Sequence, residues 1–342
     1  MPHATAALFD KLGPWNSDQR VAIGFSGGAD SVFLALAWQH YCQQLPELAS
    51  IQTQVWVVDH EHHAESAQVA HAAAALAESL DLGQVQVLRA SEWAPPAPAG
   101  EGEQALRWLR YACFARAAGH RETDVLLLGH QADDQAETLL LRILRGTGMF
   151  GLAGIPERRL MARALAPELP ATLVPLPPTE VRRPLLSLRR AEIRQRLCEQ
   201  NQPWLPDPSN DDPLYASRNG VRLEGLPLLA RWATGDPVRA LLRLQREAED
   251  WKRTEVEGVL ELIHSGTWIE AAGPQRRRAI QIVMQRSGYT THPARLHDLE
   301  GSLLRRGSAN LDNLARLTVA GGSLRLVPRR DVQVDGSEGS QA

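Results

Sequence analysis

The sequence predicts an α/β chain in which a doubly wound parallel sheet precedes a mainly helical C-terminal domain. Short apolar runs of strand length alternate with segments of helical length over the first 150 residues. That alternation is the pattern of parallel strands joined by crossover helices. Three motifs in this region each follow the carboxyl end of a strand, where open parallel sheets hold their ligands. From about residue 222 onward the strand pattern gives way to helical periodicity.

In chain order, residues 21–25 (VAIGF) read as a short buried strand, followed by the turn SGGADS and the helical segment VFLALAWQHYC. Residues 51–58 (IQTQVWVV) form a second strand ending at Asp59-His60, and the alanine-rich stretch 64–80 is a helix. A third strand at 84–90 leads into SEWAPPAPAG, a loop by its proline and glycine content. Residues 101–118 are helical, 125–129 (VLLLG) are a fourth strand, and 133–145 form the helix after it. GTGMFGLAGIP reads as a glycine-rich loop, 156–184 as a proline-rich stretch with strand-like pieces, and 185–201 as a helix entered at Pro184. Helices are expected over 226–263, 275–287 and 293–306, then a hairpin turning at Gly321-Gly322. The expected domains are 1–220 and 221–330, with 331–342 a disordered tail.

Composition narrows the class. The chain has 342 residues, 44% hydrophobic and 23% charged, an ordinary globular profile with room for two domains. No apolar run reaches the roughly 18 residues that span a bilayer, and the N-terminus lacks a basic region followed by an apolar one. No membrane association and a cytoplasmic address are expected. Cys42, Cys113 and Cys198 form no CxxC pair, which argues against a disulfide framework or a cysteine-held metal. The net charge of −3 does not advertise nucleic-acid binding, yet Arg182, Arg183, Arg189, Arg190, Arg194 and Arg196 face only Glu192 within 182–196. The basic residues are almost all arginine, which keeps its charge and forks onto phosphates.

The string SGGADS at a strand–helix junction is the strongest chemical signal. Gly27 and Gly28 let the backbone approach an anion, the helix start offers free N–H groups, and Ser26 and Ser31 add hydroxyls. Asp30 repels phosphate unless it holds a magnesium ion. The missing GK[ST] excludes a Walker A loop. A second cluster, GHQADDQAET at 129–138, puts His130, Asp133, Asp134 and Glu137 at the mouth of the fourth strand. Asp134 and Glu137, three apart, share a helix face. Such a set suits a metal or an ammonium group; helix capping alone is the plainer alternative.

SGGADS resembles the PP-loop of the N-type ATP pyrophosphatases, which cleave ATP between its α and β phosphates. The resemblance implies a PP-loop ATPase fold, like the adenine nucleotide alpha hydrolases. It assigns ATP binding to Ser26, Gly27, Gly28, Ala29, Asp30 and Ser31, with Mg2+ on Asp30. GHQADDQAET, with RGTG at 145–148 and GLAGIP at 151–156, is similar to the signature of the tRNA(Ile)-lysidine synthases. This second resemblance implies that Asp134 and Glu137 recognise free L-lysine; Asp30, His130 and Asp133 are the candidate catalytic residues, with His130 or one of the carboxylates the base for the lysine amine. VVDH at 57–60 resembles the family's adenine-receiving strand end, which brings in Asp59. QALRWLRYACF, RRPLL, DPSN and SRNGVR resemble its phosphate- and tRNA-contacting segments, so Arg107, Arg110, Arg145, Arg182, Arg183, Arg189, Arg218 and Asn219 are expected to meet phosphate or tRNA. The family's Gly-Leu-Arg-like stretch after VDH is replaced here by Glu61-His62-His63.

The activity implied is ligation of L-lysine to C2 of the wobble cytidine of tRNA(Ile) with anticodon CAU, through an adenylated base, with ATP giving AMP and pyrophosphate. Two other readings stay open: a PP-loop tRNA thiolase, which would need catalytic cysteines or a cluster, and a non-catalytic ATP-binding regulator, which would not need the carboxylates.

Overall fold

The computed structural model describes residues 5–94, 103–161, 178–206, 217–286, 293–311 and 315–328. The expected disordered tail at 331–342, the DPSN segment and residues 95–100 of the proline-rich loop lie outside the described residues. By contacts the chain divides into two compact units, Met1–Lys252 and Arg253–Ala342.

The first unit is built on a six-stranded sheet. Its strands are β1 (Arg20–Gly24), β2 (Gln52–Asp59), β3 (Gln84–Arg89), β4 (Val125–Leu128), β5 (Arg158–Leu160) and β6 (Glu180–Arg182). Their order is β3-β2-β1-β4-β6-β5, parallel throughout except for β5, which runs antiparallel to β6 at the edge. The strand alternation expected from the pleat is visible in the core. Val21, Ile23, Val55, Val57, Val125 and Leu127 point to one face. Ala22, Trp56, Leu126 and Leu128 point to the other.

The first face is covered by α1 (Ala6–Asp10), α2 (Ala29–Gln44), α3 (Ser66–Ser79) and a later helix, α8 (Arg190–Glu199). α2 is apolar on nearly every side, because Val32, Phe33, Leu34, Ala35, Ala37, Trp38 and Tyr41 are all buried. A helix buried all round belongs in the middle of a layer. Each such side chain contributes roughly 1.5–3 kcal/mol by leaving water. The second face is covered by α4 (Ala90–Trp93) and α5 (Glu103–Arg121), which buries Tyr111, Cys113, Phe114 and Ala117.

After β4 come α6 (Ala132–Leu144) and the short α7 (Met149–Leu152), which lies within the expected glycine-rich loop. The helix expected over 185–201 is a 3-10 turn, Pro184–Ser187, followed by α8. Glu192 caps the backbone N–H of Arg189 at 2.7 Å and restarts the chain as a helix there. The chain then runs through α9 (Ser217–Gly220), a π-helical turn Val221–Gly225, and α10 (Leu226–Trp232). A single helix expected over 226–263 is two, α10 and α11 (Pro237–Ser265). Pro237 disfavours helical geometry in the residue before it, and Asp236 instead caps the N–H of Val238 at 2.9 Å.

Leu226, Val238 and Leu242 pack on Ala132 and Ala136 of α6. Residues beyond 220 therefore share a small core with α6, and the first compact unit extends to Lys252. The second unit packs Val259, Trp268, Ile280 and Leu299 against a three-stranded antiparallel sheet. Its helices α12 (Gly273–Arg286) and α13 (Pro293–Arg306) precede β7 (Ser308–Asn310), β8 (Ala315–Ala320) and β9 (Ser323–Pro328). The hairpin turns at Gly321 and Gly322, both at positive φ, as anticipated.

Candidate active site

β1 and β4 are neighbours whose following segments leave in different directions, so their carboxyl ends form the crevice where such sheets bind ligands. The turn after β1 is built for close approach. Gly27 has φ +76°, and a Cβ there would meet Leu205 Cδ1 at 2.7 Å. Its carbonyl accepts a hydrogen bond from Leu205 N at 2.9 Å, which brings the chain after α8 over the turn. Ser31 Oγ donates to Gly28 O at 2.9 Å and accepts from Ser26 N at 3.2 Å. These bonds hold the loop in one shape at the start of α2.

Asp30 stands in the first turn of α2. Burial, then the nearby Asp134 carboxylate, raise its pKa to about 6 against the pull of Arg190, Arg194 and Arg222. Its Oδ1 is buried with no hydrogen-bond partner among the described residues. An unsatisfied buried carboxylate oxygen beside a phosphate-type loop fits a cation. Among the described residues no group of three His, Cys, Asp or Glu side chains could cage a metal. Mg2+ needs no such cage, since it binds through one or two carboxylates plus substrate phosphates and water. The residues present therefore fit magnesium.

The mouth of β4 abuts this loop. A Cβ on Gly129 would lie 3.1 Å from the backbone oxygen of Asp30 and 3.3 Å from Ser31 N. Gln131 and Asp134 then form a capping box on α6, with Gln131 N donating to Asp134 Oδ2 at 3.0 Å and Asp133 N donating to Gln131 Oε1 at 2.5 Å. Asp133 turns to α8. It accepts from Arg189 Nε and from a terminal Arg189 nitrogen at 2.9 Å, and from Arg190 N at 2.8 Å. Burial raises its carboxyl, but the Arg189 and Arg190 hydrogen bonds outweigh it and leave the pKa below the usual range.

Glu137, one turn further on, is 0% exposed. Arg222 clamps it at 2.7 and 3.2 Å, with Arg218 and Arg190 each 3.5 Å away. Burial raises the Glu137 carboxyl, and the Arg222 bonds pull the other way. Across the mouth, His130 is surrounded by cations. Burial and the fields of Arg183, Arg107, Arg110 and Arg218 drive its pKa well below the usual histidine value. The ring is neutral, and its Nδ1 is buried without a partner among the described residues. Arg183, 1% exposed, donates to Tyr111 Oη at 3.1 Å and to Pro156 O at 2.8 Å. Burial raises the Tyr111 phenol, yet Arg183, Arg107 and Arg110 bring it down to about 8. Phenol oxygen is a weak counterion for buried guanidinium, so this corner is poised for an anion.

The structure brings together the loop Ser26–Ser31 with Asp30, the β4-mouth group of His130, Asp134 and Glu137, and Arg218. Asp59 lies buried at the end of β2, its Oδ1 accepting from Glu61 N at 3.0 Å. Glu61, where the family pattern is not followed, accepts from Ser91 N at 2.6 Å and ties this turn to α4. Arg107 and Arg110 flank His130, Asn219 is buried, and Arg145 is exposed at the end of α6.

Within 182–196 Arg194 is exposed, whereas several of its neighbours are held by the protein's own groups. Arg182 is 4% exposed, bonded to Glu180 at 2.7 Å and stacked 4.3 Å above Trp15. It shares Glu180's side of the short β6, which turns it inward. Arg183 is buried, and Arg189 is spent on Asp133 and Asp236. Of the three cysteines, Cys113 is buried, Cys42 half-buried and Cys198 exposed. Burial pushes the Cys42 and Cys113 thiols up to about 12, which removes them as nucleophiles at neutral pH.

Arg190 and Arg222 were missed from the sequence. Arg222 had a legible signal, since it stands four residues after Arg218 in SRNGVR and so shares its helix face. The loop around Gly154 is tied to α6 by hydrogen bonds. Gln135 exchanges hydrogen bonds with Ile155 at 2.6 and 2.7 Å, and Arg142 binds the carbonyls of Gly151 and Gly154.

A parallel sheet carrying a glycine–aspartate phosphate loop after its first strand defines the PP-loop class, and the PP-loop domain family matches residues 2–229. A U34-tRNA thiolase from Methanococcus maripaludis has the same fold, with TM-score 0.52 and 18% identity over 71% of this chain and 78% of that one. A tRNA(Ile)-lysidine synthase of Pseudomonas syringae pv. tomato is 36% identical over 234 residues, 66% of this chain and 44% of the relative. Those of Leifsonia xyli and Hyphomonas neptunium are 35% and 31% identical, covering 77% and 89% of this chain and 75% and 76% of theirs. The chain belongs to the tRNA(Ile)-lysidine synthase family of PP-loop proteins. It spans about half the length of the first curated relatives it matches.

Proposed function

We propose that the chain ligates L-lysine to C2 of the wobble cytidine of tRNA(Ile) with anticodon CAU, in the cytoplasm, at the expense of ATP. One observation carries this reading: the phosphate loop and the Asp134–Glu137 pair share one crevice, joined by the close approach of Gly129 to Asp30. A nucleotide on the loop then lies beside carboxylates suited to an amine.

In the first step the cytidine O2 attacks the α-phosphorus, the bond to the bridging oxygen breaks, and pyrophosphate leaves into the N–H groups of the Ser26–Ser31 turn. Asp30 would hold magnesium, which when bound neutralises charge on the departing pyrophosphate. Asp59 lies at the strand end suited to the adenine side. Glu137 and Asp134 orient the lysine ammonium. In the second step the deprotonated ε-nitrogen bonds to C2 and the C2–O2 bond breaks, releasing AMP. His130 is a candidate acceptor for the proton that the amine loses, and burial and the surrounding arginines oppose the charge it would gain. Asp133 acts as a positioning residue, fixing α8 and therefore Arg190. Arg107, Arg110, Arg183 and Arg218 line the anionic side of the site, and Arg145 and Asn219 remain candidates for tRNA contact. Buried high-pKa thiols disfavour the thiolase reading.

The test is pyrophosphate release from ATP with and without the tRNA and lysine, followed by detection of the modified cytidine. Asp30→Ala is expected to abolish pyrophosphate release. Glu137→Ala is expected to retain release far better than lysine transfer; equal loss of both steps counts against its role.

A further inference from the structure

Three guanidinium groups converge on one buried carboxylate. Arg222 meets both oxygens of Glu137, at 2.7 and 3.2 Å, while Arg218 Nε lies 3.5 Å from one oxygen. A terminal nitrogen of Arg190 lies 3.5 Å from Glu137 and 3.4 Å from Asp134. The acceptor positions that an incoming ammonium needs are therefore taken by the protein's own cations. If Arg222 leaves, Glu137 keeps only the longer contacts to Arg218 and Arg190 at 3.5 Å, which leaves the buried carboxylate short of close partners. Arg222 cannot leave either without finding another anion.

Two of these arginines, Arg190 and Arg222, together with Arg194, also pull electrostatically on Asp30 in the phosphate loop. Arg222 also sits within the π-helical turn Val221–Gly225, between Gly220 and the start of α10. A π-turn is a rare helical geometry often found at functional sites. A polyphosphate on the neighbouring loop would offer the guanidinium a second anion.

We infer that Arg222 makes binding of the amino substrate conditional on the nucleotide: the polyphosphate draws its guanidinium off Glu137, and the freed carboxylate then accepts the substrate's ammonium. This rests on the lysine-ligating reading above and adds an order of binding to it. It also explains why a site for a cation is lined with arginine. Binding coupling is reciprocal, so lysine tightens the nucleotide by the same factor that the nucleotide tightens lysine.

The experiment is calorimetric titration of the full chain with L-lysine, alone and after saturation with Mg2+ and α,β-methylene-ATP. Lysine affinity is expected to rise by about tenfold or more with the nucleotide analogue, within the usual span of allosteric couplings. Arg222→Gln is expected to bind lysine more tightly than wild type without nucleotide and to lose most of the coupling; Arg222→Lys, which keeps the cation, is expected to retain it. The reverse titration of analogue with and without lysine on wild-type protein gives the same factor without any variant. Wild-type protein that takes lysine equally in both states overturns the inference and leaves the lysine reading standing. Protein that takes no lysine even with the analogue bound overturns both. Full coupling in folded Arg222→Gln removes Arg222 from the role.

Discussion

Asp30 shows what a single side chain at this site costs and supplies. Burial and the neighbouring Asp134 lift its carboxyl to about 6, so folding must hold an uncomfortable charge at neutral pH. The sign of the consequence is fixed. Below the ordinary carboxylate range both folded and unfolded chains are protonated here. Between that range and about pH 6 the unfolded chain has lost its proton while the folded one keeps it, so stability falls as pH rises. A shift of this size corresponds to at most about 3 kcal/mol. Asp30→Asn is therefore expected to raise the urea midpoint at pH 7.5, with the gain vanishing near pH 4, while abolishing turnover. A constant gain at both pH values would assign the effect to packing instead. Residue identity alone revealed Asp30, because a carboxylate in a phosphate-type turn is anomalous. It marked Arg182 and Arg190 as members of an arginine run without revealing the partners that hold them. Whether an arginine meets solvent or a buried acid depends on partners distant in sequence, such as Asp134 for Arg190 and Trp15 for Arg182.

At the level of elements, the strands and helices of the sheet were legible because each motif needs only local grammar: an apolar run, a glycine turn, a capped helix. The break between α10 and α11 had its signal in Asp236-Pro237, which helical periodicity masked. The junction of β4 with α2 had none, since two turns far apart in sequence meet only through the parallel pairing of β1 with β4. Gly129 makes that junction possible. Gly129→Ala places a methyl against the backbone of Asp30 and Ser31 and forces α2 or β4 to shift by a few tenths of an ångström. Its expected result is a loss of at least tenfold in affinity for Mg·ATP, measured by calorimetry, with near-wild-type far-UV circular dichroism. Unchanged affinity would mean that the two elements tolerate separation.

For the whole molecule, the first unit runs to Lys252 because α10 and the start of α11 complete the layer over α6. The nucleotide site and the segment bearing Arg222 therefore fold as one body. Ligand binding to that body should protect it as a unit: at one hundred times its Kd, Mg·ATP adds about 2.7 kcal/mol to unfolding. Hydrogen exchange is expected to show that increment in the slowest amides of β1, β2 and β4 together. Protection limited to the loop would indicate binding without coupling to the sheet.

The contact between Gly129 and Asp30 bears on redesign. Because it welds the turn after β1 to the strand that precedes the carboxylates, the proposed function places any change of amine substrate beyond the weld, at Glu137 and Arg222. On that proposal, other amines could be screened there in libraries that leave the turn after β1 untouched.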